Sequence, residues 1–258
     1  MQPQDIYELE KSIRDFFSKK ADSFVANVDS YEAIKKLPPE SIDLILTDPP
    51  YGVNFNDPQQ VDRWRSLRDN HDAIKEWDGI TQEQIELLAR EFFRILKQDT
   101  ACYVFVNKTM TGWWFDAFER AGFSLKNVLV WIKPNPTPRF FKRAWLSSIE
   151  FLLYFEKGKP TFNYTYERCK GYWVLHPPSE KLHPTQKPRE ILQDVILTSS
   201  NPGDVVFDPF AGSGMTGFVA STLDRRPILF EKSKEYFSAI GQRFLDMLYT
   251  KRLNDDLF

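Results

Sequence analysis

Cysteine is scarce: the 258 residues include Cys102, in an apolar run, and Cys169, in a polar one 67 positions further on. Two such residues form neither a CxxC metal pair nor a disulfide framework, so no structural metal is expected. Long apolar runs are missing too. No stretch approaches the ~20 uncharged apolar residues that a spanning helix needs, and no membrane partner is expected. The N-terminus carries Asp5, Glu8 and Glu10 soon after Met1 instead of the basic-then-apolar layout of a secretion signal, so the expected location is the cytoplasm. Internal repeats are absent.

Charge of one sign is in small excess, with a formal net charge of −2, which by itself speaks against a nucleic-acid partner. The distribution speaks otherwise. Residues 133 to 190 hold eleven Lys or Arg against five Glu and no Asp, a local balance of +6, and leave −8 on the remainder. A basic segment on an acidic body suits a protein with one side facing DNA, and solvated surface charge is the competing explanation. Lys133, Arg139, Lys142, Arg143, Arg168 and Lys170 are the candidate DNA-binding residues in it.

What is present is the material of a folded globular protein: 42% hydrophobic and 15% aromatic residues, and enough chain for one large α/β domain spanning residues 1–258. Strand-like runs fall at about 24–28, 41–48, 101–106, 125–132, 149–155, 204–208 and 227–230, seven in all. Helical spacing falls between them. Thr81 and Gln84 make a capping box ahead of Ile85, Leu88, Phe92 and Leu96, for a helix to about Lys97. Further helices are expected from about Thr109 to Gly122, Pro188 to Thr198, the glycine turn to Leu223, and Lys232 onward. This alternation predicts a seven-stranded, mostly parallel, Rossmann-like sheet with crossover helices. The polar stretch from Gly52 to Gly79 is long for a connection in a compact domain and reads as a functional loop or lid. Residues 133–182 combine a proline-interrupted basic loop with an aromatic, polar insertion at 156–182.

Two strand ends carry chemistry. The run at 41–48 stops at Asp48-Pro49-Pro50-Tyr51, at the edge of an open α/β sheet where ligands bind. The prolines stiffen the turn and free the Pro49 carbonyl from strand pairing, so a carboxylate and a carbonyl can address one NH2 group. An exocyclic amine is a poor nucleophile because its lone pair is delocalised into the ring; accepting both its hydrogens turns that lone pair toward an incoming methyl. An ordinary aspartate, with a pKa near ~3.9, is too weak a base to deprotonate the amine first, so Asp48 is assigned hydrogen bonding and charge stabilisation. Tyr51 offers a ring for a base removed from the duplex. A plain strand-ending turn is the bland alternative.

The second strand end is Val205 to Gly214, where Asp208, Pro209, Phe210, Ala211, Gly212, Ser213 and Gly214 lead into a helix. Glycines 212 and 214 permit positive φ and close backbone approach, and the helix start favours a negative group. A dinucleotide is an open alternative ligand, but with Met215 and Thr216 ahead of Gly217 the Gly-x-Gly-x-x-Gly fingerprint is read as incomplete, and the Gly-Lys-Ser/Thr of a P-loop is missing. Glu231 closes the next strand, where a carboxylate reaches ribose hydroxyls.

Phe210-x-Gly212-x-Gly214, Asp48-Pro49-Pro50-Tyr51 and His183-Pro184-Thr185-Gln186-Lys187-Pro188 together resemble the amino-methylating DNA methyltransferases. The catalytic motif comes first, as in that family's circularly permuted β group, and the resemblance runs from about Asp29 to Phe237. It implies S-adenosylmethionine as cofactor, with Asp208, Phe210, Ala211, Gly212, Ser213 and Gly214 around its methionine and adenosine and Glu231 on its ribose. Thr185 and Lys187 would meet its carboxylate, and Asp29 would lie near its adenine. It further implies double-stranded DNA as substrate, methylation at adenine N6 after base flipping, and target recognition at about 156–182. A homodimer and a cognate restriction endonuclease are compatible partners. Asp at position 48 favours adenine over the cytosine-N4 alternative, since the family's cytosine enzymes more often carry Ser there. An RNA or protein-amide methyltransferase and a non-catalytic DNA-binding module are the more distant alternatives.

Overall fold

The computed structural model of the chain describes residues 3–50, 79–136, 145–146, 148–179 and 186–255. In chain order the elements are α1 (Pro3–Phe17), β1 (Phe24–Asn27), α2 (Ser30–Ala33) with a 3-10 turn at Ile34–Lys36, β2 (Ile42–Thr47), α3 (Gln82–Ile95), β3 (Leu96–Val106) and α4 (Thr111–Ala121). These are followed by β4 (Ser124–Ile132), β5 (Ile149–Lys157), β6 (Tyr172–Val174), α5 (Arg189–Ser199), β7 (Val205–Asp208), α6 (Met215–Thr222), β8 (Arg226–Glu231) and α7 (Lys234–Asp255).

The strands form one sheet of order β1-β8-β7-β2-β3-β5-β4-β6. The pairs β1/β8, β8/β7, β7/β2 and β2/β3 are parallel, and β5 runs against both of its neighbours. Among the described residues the sheet therefore has eight strands where seven were expected. The extra one, β6, is a three-residue edge strand parallel to β4, inside the segment expected to be an insertion. Its residues give no period-2 signal over so short a length, and pairing with β4 decides their conformation. Lys157, also counted with the insertion, ends β5: its ammonium is buried and donates to the carbonyls of Phe93 and Leu96 at 2.8 and 2.7 Å.

A parallel sheet covered on both faces needs apolar residues on both sides of each strand, which explains the continuous runs in β2 and β7. Ile45, Phe207 and Phe230 point to one layer with Leu9, Ile13 and Phe16 of α1, Phe92 of α3 and Phe118 of α4. Leu44, Leu46 and Val206 point to the other with Ile191 and Val195 of α5 and Val219 of α6. Helix α1 was not expected from sequence, yet its Leu9, Ile13 and Phe16 recur at helical spacing and are buried. The predicted capping box is present, with the Thr81 hydroxyl accepting from Gln84 N at 3.3 Å and the Gln84 side chain accepting from Thr81 N at 2.8 Å. Helix α4 ends at Gly122, whose φ of 107° closes it in the left-handed region, as expected.

This order positions a site. From β7 the chain crosses through α6 to β8 on one side, and from β2 through α3 to β3 on the other. The strand order thus reverses between β7 and β2, where open α/β sheets bind ligands at their carboxyl ends.

Candidate active site

Asp208 ends β7 and Thr47 ends β2 beside it. The Thr47 hydroxyl donates to Asp208 Oδ1 at 2.8 Å, and the Phe210 amide donates to the same oxygen at 3.1 Å. The two motifs, some 160 positions apart in sequence, are thereby joined at one sheet edge. The Asp208 carboxyl is buried, and burial pushes its pKa up to about 6 against the hydrogen bonds, with Asp48 nearby adding to the rise.

Past Asp208 the chain turns through Gly212 (φ 50°) and Gly214 (φ 72°) into α6. A Cβ on Gly214 would lie 2.9 Å from Ile240 of α7, so this position needs glycine both for its conformation and for space. Gly217, set apart from the turn on sequence grounds, in fact completes a Gly-x-Gly-x-x-Gly spacing with the other two. It packs against β8 so closely that a Cβ would come within 2.5 Å of Leu229, the helix-to-strand contact that gives the third glycine of such a turn its use. Glu231, at the end of β8, accepts from Gly212 N at 2.8 Å and from Ser233 N at 2.7 Å, and burial raises its pKa. The acid thus orders the glycine turn as well as facing the cleft. Asp29 caps α2 by accepting from Tyr31 N at 3.1 Å and pairs with Lys232 at 3.0 Å.

These strand ends wall one cleft of about 520 Å³. Asp29, Asp48, Pro49, Pro50, Lys187, Asp208, Phe210, Ala211, Gly212, Ser213 and Glu231 all border it, so most of the expected catalytic and cofactor residues converge. Gly214 lies behind them as the cap of α6. Tyr51, Thr185, Arg139, Lys142 and Arg143 lie outside the described residues. Thr47, Ser30 and Tyr31 were missed by sequence reading, and each borders the cleft. Ser30 donates to the Pro209 carbonyl and so braces the glycine turn. Tyr31 packs its ring 5.8 Å from Phe210. No motif marks these three; only the fold brings them in.

Lys187 takes a place the sequence did not predict. Its ammonium donates to Asp48 Oδ2, lies 3.4 Å from Glu150 Oε2, and sits 5.0 Å from the centre of the Phe105 ring. Burial pulls its pKa down, but the Asp48 and Glu150 carboxylates outweigh this and raise it, so Lys187 stays charged.

The described basic candidates are also engaged. Lys133 pairs with Glu150 over the Trp131 ring, Lys170 pairs with Glu167 at 2.6 Å, and Arg168 donates to the Asn163 carbonyl at 3.0 Å. In the segment expected to recognise the target, Tyr164, Tyr166 and Tyr172 are exposed, whereas Trp173 packs against the core and donates to Asp194 at 2.8 Å. Among the described residues no group of three or more His, Cys, Asp or Glu is placed to hold a metal ion, and no helix is long and apolar enough to cross a membrane.

The profile of the DNA methylase family, which takes in N6 and N4 methyltransferases, matches residues 42–242, which include both motif-bearing strand ends. The chain belongs to that family. Among its relatives, the type II methyltransferase M2.LlaDCHI of Lactococcus lactis subsp. cremoris is 31% identical over 88% of this chain and 91% of its own length. The type II methyltransferase M.HinfI of Haemophilus influenzae is also 31% identical, over 93% of this chain and 71% of its own. The solved structure of M1.HpyAVI in complex with SAM superposes with a TM-score of 0.65 at 28% identity, covering 85% of this methylase and 98% of that chain. The PvuII DNA methyltransferase, cytosine-N4-specific, shares the fold at 22% identity and a TM-score of 0.64, covering 86% of this methylase and 88% of that chain.

Proposed function

We propose that this methylase transfers a methyl group from S-adenosylmethionine to adenine N6 in double-stranded DNA, acting as one domain on a base taken out of the helix. One observation carries the reading: the Asp48-Pro49-Pro50 turn and the Asp208-to-Ser213 turn, at the ends of neighbouring strands, border a single cleft.

The cleft residues fit the cofactor. A volume of about 520 Å³ is within the range of small-molecule sites, with apolar walls at Leu46 and Phe210 and carboxylates at Asp29 and Glu231 suited to hydroxyl and amino groups of a nucleoside. When bound, S-adenosylmethionine supplies a methyl group activated by its sulfonium. The chain's own residues do the rest. Asp48, with a fifth of its side chain exposed, accepts one hydrogen of the adenine amine while the Pro49 carbonyl accepts the other. This holds the nitrogen lone pair toward the methyl and stabilises the positive charge that grows on the amine. Tyr51 stacks on the extruded base, Thr185 serves the cofactor's carboxylate, and Lys187 holds the Asp48 carboxylate beside it. Asp at position 48, where related cytosine enzymes more often have Ser, supports adenine. The enzyme acts in the cytoplasm on duplex DNA, and a homodimer and a cognate restriction endonuclease are compatible partners.

The test is methylation of mixed-sequence DNA followed by single-molecule mapping of the modified base. N6-methyladenine in one sequence context is expected, and N4-methylcytosine would overturn the choice of base. Asp48→Ala should keep cofactor affinity, because Lys187 retains Glu150 as a partner, and should lose on the order of 3 kcal/mol of transition-state stabilisation, about a hundredfold in turnover. Wild-type turnover in that variant would end the role given to Asp48.

A further inference from the structure

A line of alternating charge runs away from the reacting end of Asp48. Lys187 binds Asp48 Oδ2 and reaches Glu150 Oε2, while Glu150 Oε1 takes the ammonium of Lys133. The line crosses from the end of β2 to the start of β5 and the end of β4: Glu150 and Trp131 are register partners, and Lys133 follows directly after β4. Lys187 is 4% exposed at its side chain, and both carboxylates are about a fifth exposed. A cation so deeply placed is costly unless paired, and here two carboxylates pair it while a second cation, Lys133, balances the second carboxylate. Glu150 is not among the described residues bordering the cleft, and its path to the reacting end of Asp48 runs through Lys187.

We propose that Glu150 is a positioning residue for methyl transfer: by sharing the Lys187 ammonium with Asp48, it sets how much of the Asp48 carboxylate remains available to the base amine. The inference rests on the reading that Asp48 accepts that amine. A carboxylate offers about four lone-pair sites, and an ammonium drawn wholly onto Asp48 competes with the amine for them and withdraws charge from them. Glu150 pulls the ammonium back. Among the described residues, the ionisable groups facing Lys187 are Asp48 from the end of β2 and Glu150 from β5. Lys133 stands behind Glu150, Asp208 of β7 faces Asp48, and Arg243 of α7 reaches the adjacent Gln186 at 3.3 Å.

The experiment compares wild type, Glu150→Gln and Glu150→Asp by single-turnover methylation and by NMR titration of lysine side chains in isotope-labelled protein. Glu150→Gln should lower the Lys187 titration midpoint by about a unit or more and reduce kcat on the order of tenfold, with KM for the cofactor within about twofold. Glu150→Asp should recover part of both. Unchanged kcat in Glu150→Gln overturns the proposal, and so does a fall in kcat with an unmoved Lys187 midpoint, which would mean a structural role only. The titration does not depend on which base is methylated. A wild type that methylates cytosine, with the Lys187 shift intact, would overturn the adenine reading and leave this coupling standing.

Discussion

At the scale of single residues, the chemistry of this site is a matter of where carboxylates are dry. Asp48 is partly exposed beside a cation, whereas Asp208 is buried and held by neutral donors, among them the Thr47 hydroxyl and the Phe210 amide. Its pKa of about 6 lies above the ordinary aspartate range, so the folded protein holds a proton that the unfolded chain releases. A raised acid gives its full stabilisation below the unfolded pKa and loses it as pH rises through the folded one. Stability from Asp208 is therefore present near pH 4 and lost by about pH 7. At about 1.4 kcal/mol per pH unit, the shift amounts to on the order of 3 kcal/mol. Asp208→Asn, which keeps an acceptor for Thr47 and Phe210, should gain stability relative to wild type by up to that amount at pH 8 compared with pH 4. Denaturant unfolding of both proteins at the two pH values measures this, and an equal difference at each would refute it. Sequence could place Asp208 at a strand end but could not reveal its dryness, which depends on Thr47 and on the layers above and below. Lys187 illustrates the same limit. Its motif marked it as functional, but its attachment to Asp48 and Glu150 joins three segments that no spacing relates.

At the scale of elements, local signals were reliable where local physics dominates. The capping box of α3 and the glycine that ends α4 were legible because each is a backbone requirement met within a few residues. β6 was not, because pairing with β4 makes it; α1 does carry helical spacing at Leu9, Ile13 and Phe16, and it docks Phe16 under Arg226, whose guanidinium lies 4.3 Å from that ring. The glycine turn stands between these cases: its spacing is visible in sequence, but the reason for each glycine is tertiary. Gly214→Ala should cost about 1–3 kcal/mol, from left-handed backbone strain and the approach to Ile240, and should weaken cofactor binding by distorting the start of α6. Gly241, inside α7, is the control, because an added Cβ there would meet nothing within 4 Å: alanine should add roughly 0.5–1 kcal/mol by helix propensity. Thermal unfolding with and without cofactor separates the two, and a Gly214→Ala protein as stable and as tightly binding as wild type would contradict the account of the turn.

At the scale of the whole molecule, the question is which of the segment's cations meet DNA. The excess of +6 over residues 133–190 counts charges without regard to partners. Lys157 and Lys187 are buried, and Lys133 and Lys170 each sit against a glutamate. Pairing does not abolish attraction to phosphate, but it makes each of these a weaker contributor than its formal charge. Of the six candidate DNA-binding residues, Lys133, Arg168 and Lys170 are engaged within the protein, and we propose that Arg139, Lys142 and Arg143 take the larger share of phosphate contacts. Each phosphate neutralised on duplex DNA releases counterions and contributes about −0.9 to the slope of log affinity against log salt concentration. Replacing Arg139, Lys142 and Arg143 together by alanine should therefore flatten the slope by roughly 2 to 3, and Lys170→Ala should change it by less than ~1. Affinity for a fixed duplex, measured across a series of salt concentrations for wild type and both variants, decides it. A slope unaffected by the triple replacement would move the DNA-facing surface away from residues 139–143, and a flat response in the wild type would remove duplex DNA as the partner.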